Sequence, residues 1–500
     1  MMTQGFTEPT AAVADVAATA PRKRWPLIVG AVVVGVVVLA GSAVAAFVLL
    51  SGRGPQPESA LPADTIGFVK LDLDPSAGQK VNALRFLRDN LPADMGISVD
   101  PDSSDPIGDA LTSSGVFDGE DFTWQDIDTW VGDRAAVAAI PTGSGEAAPV
   151  VIIRIDDEAA MASFLAAHAP DTAFAMVREG YAVFAETQDA VQAVTGAQSW
   201  LADSASFQAD MSQLGGGQIV VGWADAAAAQ AAQQSIDDLV GTDLPSTEDF
   251  SLTGRVAMGL AVEPDVLELL TVASDFAVNG DTPPWMSPSA DLGSLPAGVV
   301  AAVTFGNLGE YLDGILALKA VSDLVPDLKE QVDAQTGLGV DDVIGVLSTT
   351  MTAFAVEGAG GFADTPLIGA RLAQTEGTSS ATVGSLLEAG GMVDAVRVED
   401  GTAADGTPYV ELSSSDQDDP FAQSGGGGTL SDLPSFDKVI VNDAAIAAFV
   451  NMSSVWKYMA AQSPDTQTYP DVTAAGLAYE MGAEGDNVAR MRLRVAFDGQ

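Results

Sequence analysis

The chain contains no cysteine among its 500 residues, and its only histidine is His168. Without cysteine there is no disulfide, no thiolate metal site and no cysteine nucleophile. One histidine cannot build a multi-histidine metal site, and a Ser–His–Asp triad would have to use this residue. His168 follows a stretch of helical spacing, and a cation is favourable at a helix C-terminus, so we assign it a structural role.

Motifs of several enzyme classes are also missing. No Gly-Lys dipeptide and no G-x-S-x-G sequence occurs, which excludes a P-loop and a nucleophile elbow. The Gly-rich stretch 358–361 lacks the dinucleotide fingerprint, and the acidic clusters at 100–105 and 416–419 lack calcium-loop spacing. We predict a non-enzymatic protein without metal or cofactor. A carboxylate-dependent hydrolase stays open, because its two carboxyl groups can be remote in sequence.

Basic residues are scarce. The chain has 21 Lys and Arg against 69 Asp and Glu, a formal net charge of −48. The first 53 residues carry four basic and two acidic groups, so the remainder carries −50. Such a surface repels nucleic acid and anionic lipid headgroups, and we predict no nucleic-acid partner. Solubility or adaptation to high salt explains the charge, and a cationic partner is not required.

Only one apolar run is long enough to cross a membrane. Residues 27–50 are 24 residues without a charge, and a helix of that length reaches about 36 Å, more than the ~30 Å hydrocarbon core. Three basic residues, 22–24, precede it, which places the N-terminus in the cytoplasm. We predict a disordered cytoplasmic tail at 1–21 and a signal-anchor at 22–50, giving a single-pass cell-membrane protein with an extracytoplasmic body. A signal peptide cleaved after Ala45 is the alternative.

The exported body shows two similar successions of strand and helix patterns. Gly and Pro interrupt regular patterns at 51–60 and 279–294, which predicts linkers and leaves domains at 61–278 and 295–500. Alternating apolar strands and amphipathic helices predict an α+β fold with a mainly antiparallel sheet and packed helices. The acidic, Gly-rich stretch 413–434 of the second domain is predicted to be a mobile insert.

Five short matches in preserved order predict that the second domain is a tandem copy of the first. The sequence offset between matched residues varies by an amount that a few loop insertions explain. The matches, with their offsets, are Leu61 and Leu295 (234), Ile127 and Val343 (216), Asp225 and Asp443 (218), Gly259 and Gly476 (217), and Val272 and Val495 (223).

The most distinctive polar residues lie where the first predicted strand of the body turns into a helix. They are Lys70, Asp72, Asp74 and Lys80. One interpretation is a contact with a partner. The other is structural: Asp74 or Ser76 caps the helix, and the lysines solvate its edges. We retain the four residues as the candidate partner-binding site.

Three stretches carry a resemblance to a known family. They are 61–65 (LPADT), 72–80 (DLDPSAGQK) and 130–137 (WVGDRAAV). In these the chain resembles a bacterial family of single-pass membrane proteins catalogued as a domain of unknown function, over most of the exported body. The second domain keeps Leu295-Pro296-Ala297 but lacks a counterpart of 72–80. The resemblance implies the topology and supplies no catalytic residue.

These observations favour an envelope protein that serves as a binding or scaffold module for an extracytoplasmic partner, either a protein or a lipid. A carrier of an apolar ligand or lipid, held between sheet and helices, is the alternative. A roomy apolar pocket would favour the carrier. A closed core with an apolar surface patch would favour the binding module.

Overall fold

A computed structural model describes most of the chain after residue 54. The predicted tail, the predicted anchor and both acidic clusters lie outside the described residues. The described residues are 55–72, 112, 122–143, 145–168, 174–185, 187–232, 251–282, 284–289, 292–318, 322, 325–336, 339–357, 367–375, 377–392, 394–403, 406–414, 428–441, 444–462, 471–482 and 487–497.

The described strands form one sheet of sixteen, and every neighbouring pair is antiparallel. The spatial order is β12-β13-β11-β10-β9-β14-β15-β16-β8-β7-β6-β1-β2-β3-β5-β4. The strands are β1 Gly67–Asp72, β2 Val131–Pro141, β3 Ala147–Ile155, β4 Phe174–Arg178, β5 Tyr181–Ala185, β6 Val220–Asp225, β7 Leu252–Val262, β8 Val266–Val278, β9 Val299–Phe305, β10 Met351–Val356, β11 Leu367–Ala373, β12 Val396–Thr402, β13 Pro408–Ser414, β14 Ile446–Asn451, β15 Val472–Met481 and β16 Val488–Phe497.

Helices pack on both faces of this sheet, which confirms the predicted α+β class. They are α1 Trp124–Ile127, α2 Glu158–His168, α3 Gln188–Thr195, α4 Ala205–Leu214, α5 Ala226–Ala231, α6 Leu308–Ala317, α7 Val325–Thr336, α8 Val340–Leu347, α9 Ser380–Ala389, α10 Pro434–Val439 and α11 Met452–Gln462. Short 3-10 turns lie at Pro57–Ala60, Leu201–Asp203, Leu292–Ser294 and Leu430–Asp432.

The strand order of one half repeats that of the other. Read from its outer edge to the junction, the first half has the strand order β4-β5-β3-β2-β1-β6-β7-β8. The second half has the same order when eight is added to each strand number. The halves meet where β8 pairs with β16, from Val266 opposite Ala496 to Ser274 opposite Val488. The sheet therefore contains two equivalent half-sheets joined by their end strands.

Matching contacts identify which residues occupy equivalent positions. The backbone N–H of Leu201 donates to the carbonyl of Leu61 at 2.9 Å, and that of Leu430 donates to the carbonyl of Leu295 at 2.7 Å. All four leucines are buried. Leu61 and Leu295 thus have the same role in the two halves. Each fixes the chain that enters its half-sheet against a 3-10 turn.

Asp443, which was matched to Asp225, lies outside the described residues. Asp225 ends β6 and caps α5 by accepting from the N–H of Ala228 at 2.9 Å. Asn451 does the same after β14, accepting from the N–H of Ser454 at 3.1 Å. The apolar residues 439–441 resemble a strand in sequence, but Val439 ends the helix α10 and the other two follow it. Three β-branched residues mimic a strand there, but Val439 packs into the core from the helix.

Two further matches are displaced along their strands. Gly476 pairs with Phe449, whereas Gly259 pairs with Val221, so the glycines differ by two residues in register. The side chain of Val272 lies on the same face of the sheet as that of Val266. Val495 pairs with Leu267, the residue after Val266, so its side chain lies on the other face. A displacement of one residue turns a strand side chain to the opposite face, and sequence similarity between apolar strands does not detect it.

Each half has a closed core on one face of the sheet. We call this the front face, the face that carries Trp223 and Phe449. In the first half Phe207 of α4 packs edge-on against Trp223, with ring centroids 5.6 Å apart. In the second half Phe436 of α10 packs edge-on against Phe449 at 5.1 Å. The two short helices thus close equivalent positions over the two half-sheets.

The Phe449→Ala variant tests the second core. Phe449 has no exposed surface, and truncating a buried phenylalanine costs about 3–5 kcal/mol of unfolding free energy because a cavity remains. Chemical denaturation followed by tryptophan fluorescence measures the loss. The exposed Met392, changed to Ala, is the control and should shift stability by less than about 0.5 kcal/mol. Equal stability of the two variants would contradict the assigned core.

Candidate functional site

Of the four predicted partner-binding residues, the structure describes the side chain of Lys70 alone. Lys70 is buried, and its Nζ donates to both carboxylate oxygens of Glu58, at 2.8 and 3.1 Å. It also donates to Oε1 of Gln56 at 3.2 Å. Asp72 ends β1, and Asp74 and Lys80 lie outside the described residues. Lys70 therefore holds an internal ion pair, which agrees with a structural role, and the partner-binding site stays a prediction.

The partner of Lys70 comes from a segment predicted to be a linker. We call residues 55–61 the strap. The hydroxyl of Tyr181 donates to the carbonyl of Pro55 at 2.7 Å, and Nε of Arg178 donates to the carbonyl of Ser59 at 2.9 Å. Ala60 and Leu61 have no exposed surface. From Pro55 onward the predicted linker 51–60 is instead docked on the core.

The stretch 51–60 was predicted to be a linker because it contains Gly52, Gly54, Pro55 and Pro57. A proline also suits the first position of a 3-10 or helical turn, since its missing N–H has no partner there. The N-terminal turn of the strap uses Pro57 in this way. Glu58 is the residue from which the docked strap could have been predicted. An acidic residue beside Ala60-Leu61 needs a basic counterpart when the segment is buried.

The second predicted linker and the predicted insert also contain core residues. Met286 and Leu292, within 279–294, are buried. Leu430, within 413–434, has no exposed surface and lies in the 3-10 turn that binds Leu295. Only residues 415–427 of that insert lie outside the described part. Short apolar anchors within Gly- and Pro-rich stretches explain both differences.

Tyr181 is the most strongly perturbed titratable group near the strap. Burial raises the pKa of its phenol, and the neighbouring Arg134, which hydrogen-bonds to it, lowers that pKa by a smaller amount. The phenol therefore stays protonated at high pH. Because the protonated oxygen is the donor to the carbonyl of Pro55, this ionisation state holds the start of the strap.

The opposite side of the sheet, the back face, presents apolar side chains at the junction of the halves. Met258 on β7 and Met491 and Leu493 on β16 are 43%, 39% and 37% exposed. Backbone register places Leu269 between Leu260 and Leu493. We call Met258, Leu260, Leu269, Met491 and Leu493 the apolar strip. It crosses three adjacent central strands, two from one half and one from the other.

The front face at the same junction is charged. Arg494 donates from Nε to Oε2 of Glu268 at 2.6 Å, and Nε of Arg492 lies 3.6 Å from the same oxygen. Lys438 of α10 donates to Asp265 at 3.1 Å. The acidic residues come from β8 and its preceding turn, whereas the basic ones come from the second half. This network of ion pairs links the halves. The alternating sequence Arg-Met-Arg-Leu-Arg at 490–494 is the pattern that could have predicted it.

An open groove lies between the strap and helix α4. Its volume is about 550 Å³. The described residues that line it include the Glu58 carboxylate and no basic side chain. They are Pro55, Gln56, Glu58, Ser59, Ala202, Phe207, Gln208, Met211 and Ser212.

Two searches of the described residues and three comparisons bear on identity. No group of three or more His, Cys, Asp and Glu in these residues is arranged to hold a metal ion. No helix within them is long and apolar enough to span a membrane. Comparisons of the chain with family models, curated proteins and solved structures give no match. The family resemblance and the membrane topology stay predictions.

The Lys70→Met variant tests the strap. It leaves the buried Glu58 carboxylate without its cation, which costs about 3–5 kcal/mol of unfolding free energy. Adding Glu58→Leu removes the stranded charge and should recover most of that loss. Chemical denaturation of the two variants measures this difference. Equal stability of the single and double variants would show that the ion pair does not hold the strap.

The Tyr181→Phe variant tests the ionisation argument. The folded-state pKa of Tyr181 is raised above the ordinary value near 10. Its contribution to stability is therefore complete below about pH 10 and declines as pH rises through the raised pKa. Above about pH 10 the unfolding free energy of the unmodified protein should fall more steeply than that of the variant. Parallel pH profiles would contradict the assignment.

Proposed function

We propose that this protein is a membrane-anchored binding module of the cell envelope, whose duplicated α+β body engages an extracytoplasmic protein through the apolar strip. The strip is the observation that carries the proposal. Large exposed apolar side chains that are contiguous on a sheet face mark interaction sites more often than scattered ones do. Two of its members are methionines, whose flexible thioethers adapt to varied partner surfaces.

The position of the strip supports a binding role. A sheet face at the centre of a fold is normally buried under helices. The outer parts of the back face follow this rule, since Phe164 of α2 covers one end and Val383 of α9 covers the other. The central strands carry Met258, Met491 and Leu493 exposed between those covered ends. A partner that packs there would complete the burial.

The membrane anchor at 22–50 and the duplication are parts of the same proposal. The repeated strand order and the matching leucine contacts support a gene duplication followed by fusion of the end strands. The charge of −50 on the exported part supports a surface kept away from anionic lipid.

A carrier of an apolar ligand is the second candidate. The groove at the strap supports it, because its volume falls in the range of small-molecule sites. The groove is open along one side, whereas a carrier encloses most of its ligand. We therefore prefer the binding module.

The Leu493→Glu variant in the full-length protein tests the strip. After mild crosslinking in its own membrane, the unmodified protein should retain a stoichiometric protein partner. A charge at the strip should lower recovery of that same partner about tenfold, equivalent to ~1.4 kcal/mol. Quantitative mass spectrometry of the purified complexes measures the ratio.

The Met392→Glu variant is the matched control, because Met392 is as exposed as Met258 but lies outside the strip. It should retain the partner at the unmodified level. Denaturation curves establish that both variants are folded. Undiminished recovery with Leu493→Glu, or no stoichiometric partner at all, would refute the proposed use of the strip.

A further inference from the structure

The apolar strip lies where a local twofold axis relates the two halves. Strands β8 and β16 are equivalent and antiparallel, so the axis runs between them, perpendicular to the sheet. Asp225 and Asn451 cap equivalent helices. Counted from these caps through the paired strands, Leu269 of the first half is equivalent to Met491 of the second. The strip therefore contains equivalent positions of both halves.

The remaining equivalent positions extend the strip into a patch with the same twofold symmetry. The count that relates Leu269 to Met491 also relates the other back-face residues of β7 and β8 to those of β15 and β16. Each half contributes four residues, and each of the eight is at least partly exposed. We call them the symmetric patch; its members are Met258, Leu260, Leu269 and Thr271, which are equivalent to Leu477, Tyr479, Met491 and Leu493 in that order.

The symmetric patch is uncharged although the chain is strongly acidic. The back-face positions that flank it in the same four strands are uncharged too; they are Val256, Val262, Leu267, Ala273, Ala475, Met481, Ala489 and Val495. The chain carries a formal net charge of −48, so two copies repel wherever their acidic surfaces meet. An uncharged area is the kind of surface through which two such chains can make contact.

The symmetry of the patch favours a second copy over an unrelated protein. The interface of a twofold dimer uses the same surface on both subunits, so that surface must be complementary to itself. An uncharged apolar patch satisfies this condition without any pairing of opposite charges. A half-turn of one copy about its own local axis exchanges equivalent apolar positions, so two opposed orientations both bring apolar side chains together.

From these observations we infer that the partner at the apolar strip is a second copy of this chain, which packs back face to back face across the symmetric patch. The inference rests on the proposed function, because it names the protein that the strip engages. A stable interface uses roughly 20–30 residues on each side. Eight residues make a smaller one, so the dimer is weak and reversible and has to be trapped for detection.

The experiment traps the dimer by cysteine crosslinking of the full-length protein in gently lysed cells. The chain has no cysteine, so Met491→Cys supplies its only thiol. The patch spans four strands, or roughly 14 Å, so a bis-maleimide of that reach should join two copies at this position. We expect a crosslinked product that contains two differently tagged copies when both are expressed together. In the pull-down proposed above, the recovered partner is then this chain itself.

Met392→Cys is the matched control, because Met392 is 43% exposed against 39% for Met491 and lies outside the symmetric patch. Its crosslinked fraction should be lower by at least about fivefold. Adding Leu493→Glu to Met491→Cys puts a carboxylate from each copy into the contact and should lower the crosslinked fraction by at least about fivefold. Denaturation curves establish that each variant is folded.

Salt dependence separates self-association from binding of a cationic partner. Raising the salt concentration from about 0.1 M to about 1 M shortens the screening length from about 10 Å to about 3 Å. The repulsion between two acidic copies is then screened, so the crosslinked fraction of Met491→Cys should increase.

Three results would overturn the inference. Equal crosslinking of Met491→Cys and Met392→Cys would show random collision, and a crosslinked fraction that decreases with salt would show attraction between opposite charges. Crosslinking of Met491→Cys to a different protein alone would make that protein the occupant. In that case loss of the same protein in Leu493→Glu leaves the proposed function intact. If Leu493→Glu changes neither result, the strip has no binding role and both proposals fail.

Discussion

The antiparallel pairing of β8 with β16 is the constraint on which the rest of the structure depends. An unpaired strand at the end of a half-sheet exposes a row of backbone N–H and C=O groups, which invites uncontrolled association. Here each half satisfies the end strand of the other over nine residue pairs. The outer edges that remain are β4 and β12, and β12 carries Glu399 and Asp400, exposed charges of the kind that discourage further pairing.

One register at this junction determines the chemistry of both faces. Because successive strand residues point to opposite sides, the sequence Arg-Met-Arg-Leu-Arg at 490–494 sends its arginines to the front face and Met491 and Leu493 to the back. On the front face Glu268 offsets the desolvation of two arginines. A shift of one residue would place the arginines on the back face, away from Glu268, and would remove the apolar strip. The ion pairs and the strip therefore depend on one another.

Local patterns predicted the strands better than they predicted the correspondence between halves. The bounds of β7 and β9 agree with the sequence pattern, and the turn Glu179-Gly180 adopts positive φ angles of 51° and 79°, as a tight hairpin requires. Alternation and turn chemistry are local properties, so one sequence suffices. Register between distant strands depends on tertiary packing, which is why Gly259 and Val272 were matched to displaced positions. The apolar strip was equally hidden, because its exposure depends on which helices cover the back face.

Lys70 connects the strap to the sheet that carries the apolar strip. Its ion pair with Glu58 docks the strap on β1, and β1 is hydrogen-bonded through β6 and β7 to β8. Neighbouring strands lie about 4.8 Å apart, so the strip, which begins on β7, starts two such steps or roughly 10 Å from β1 across the sheet. A continuous ladder of backbone hydrogen bonds resists bending far more than a linker does. The sheet itself therefore fixes the position of the apolar strip relative to the strap.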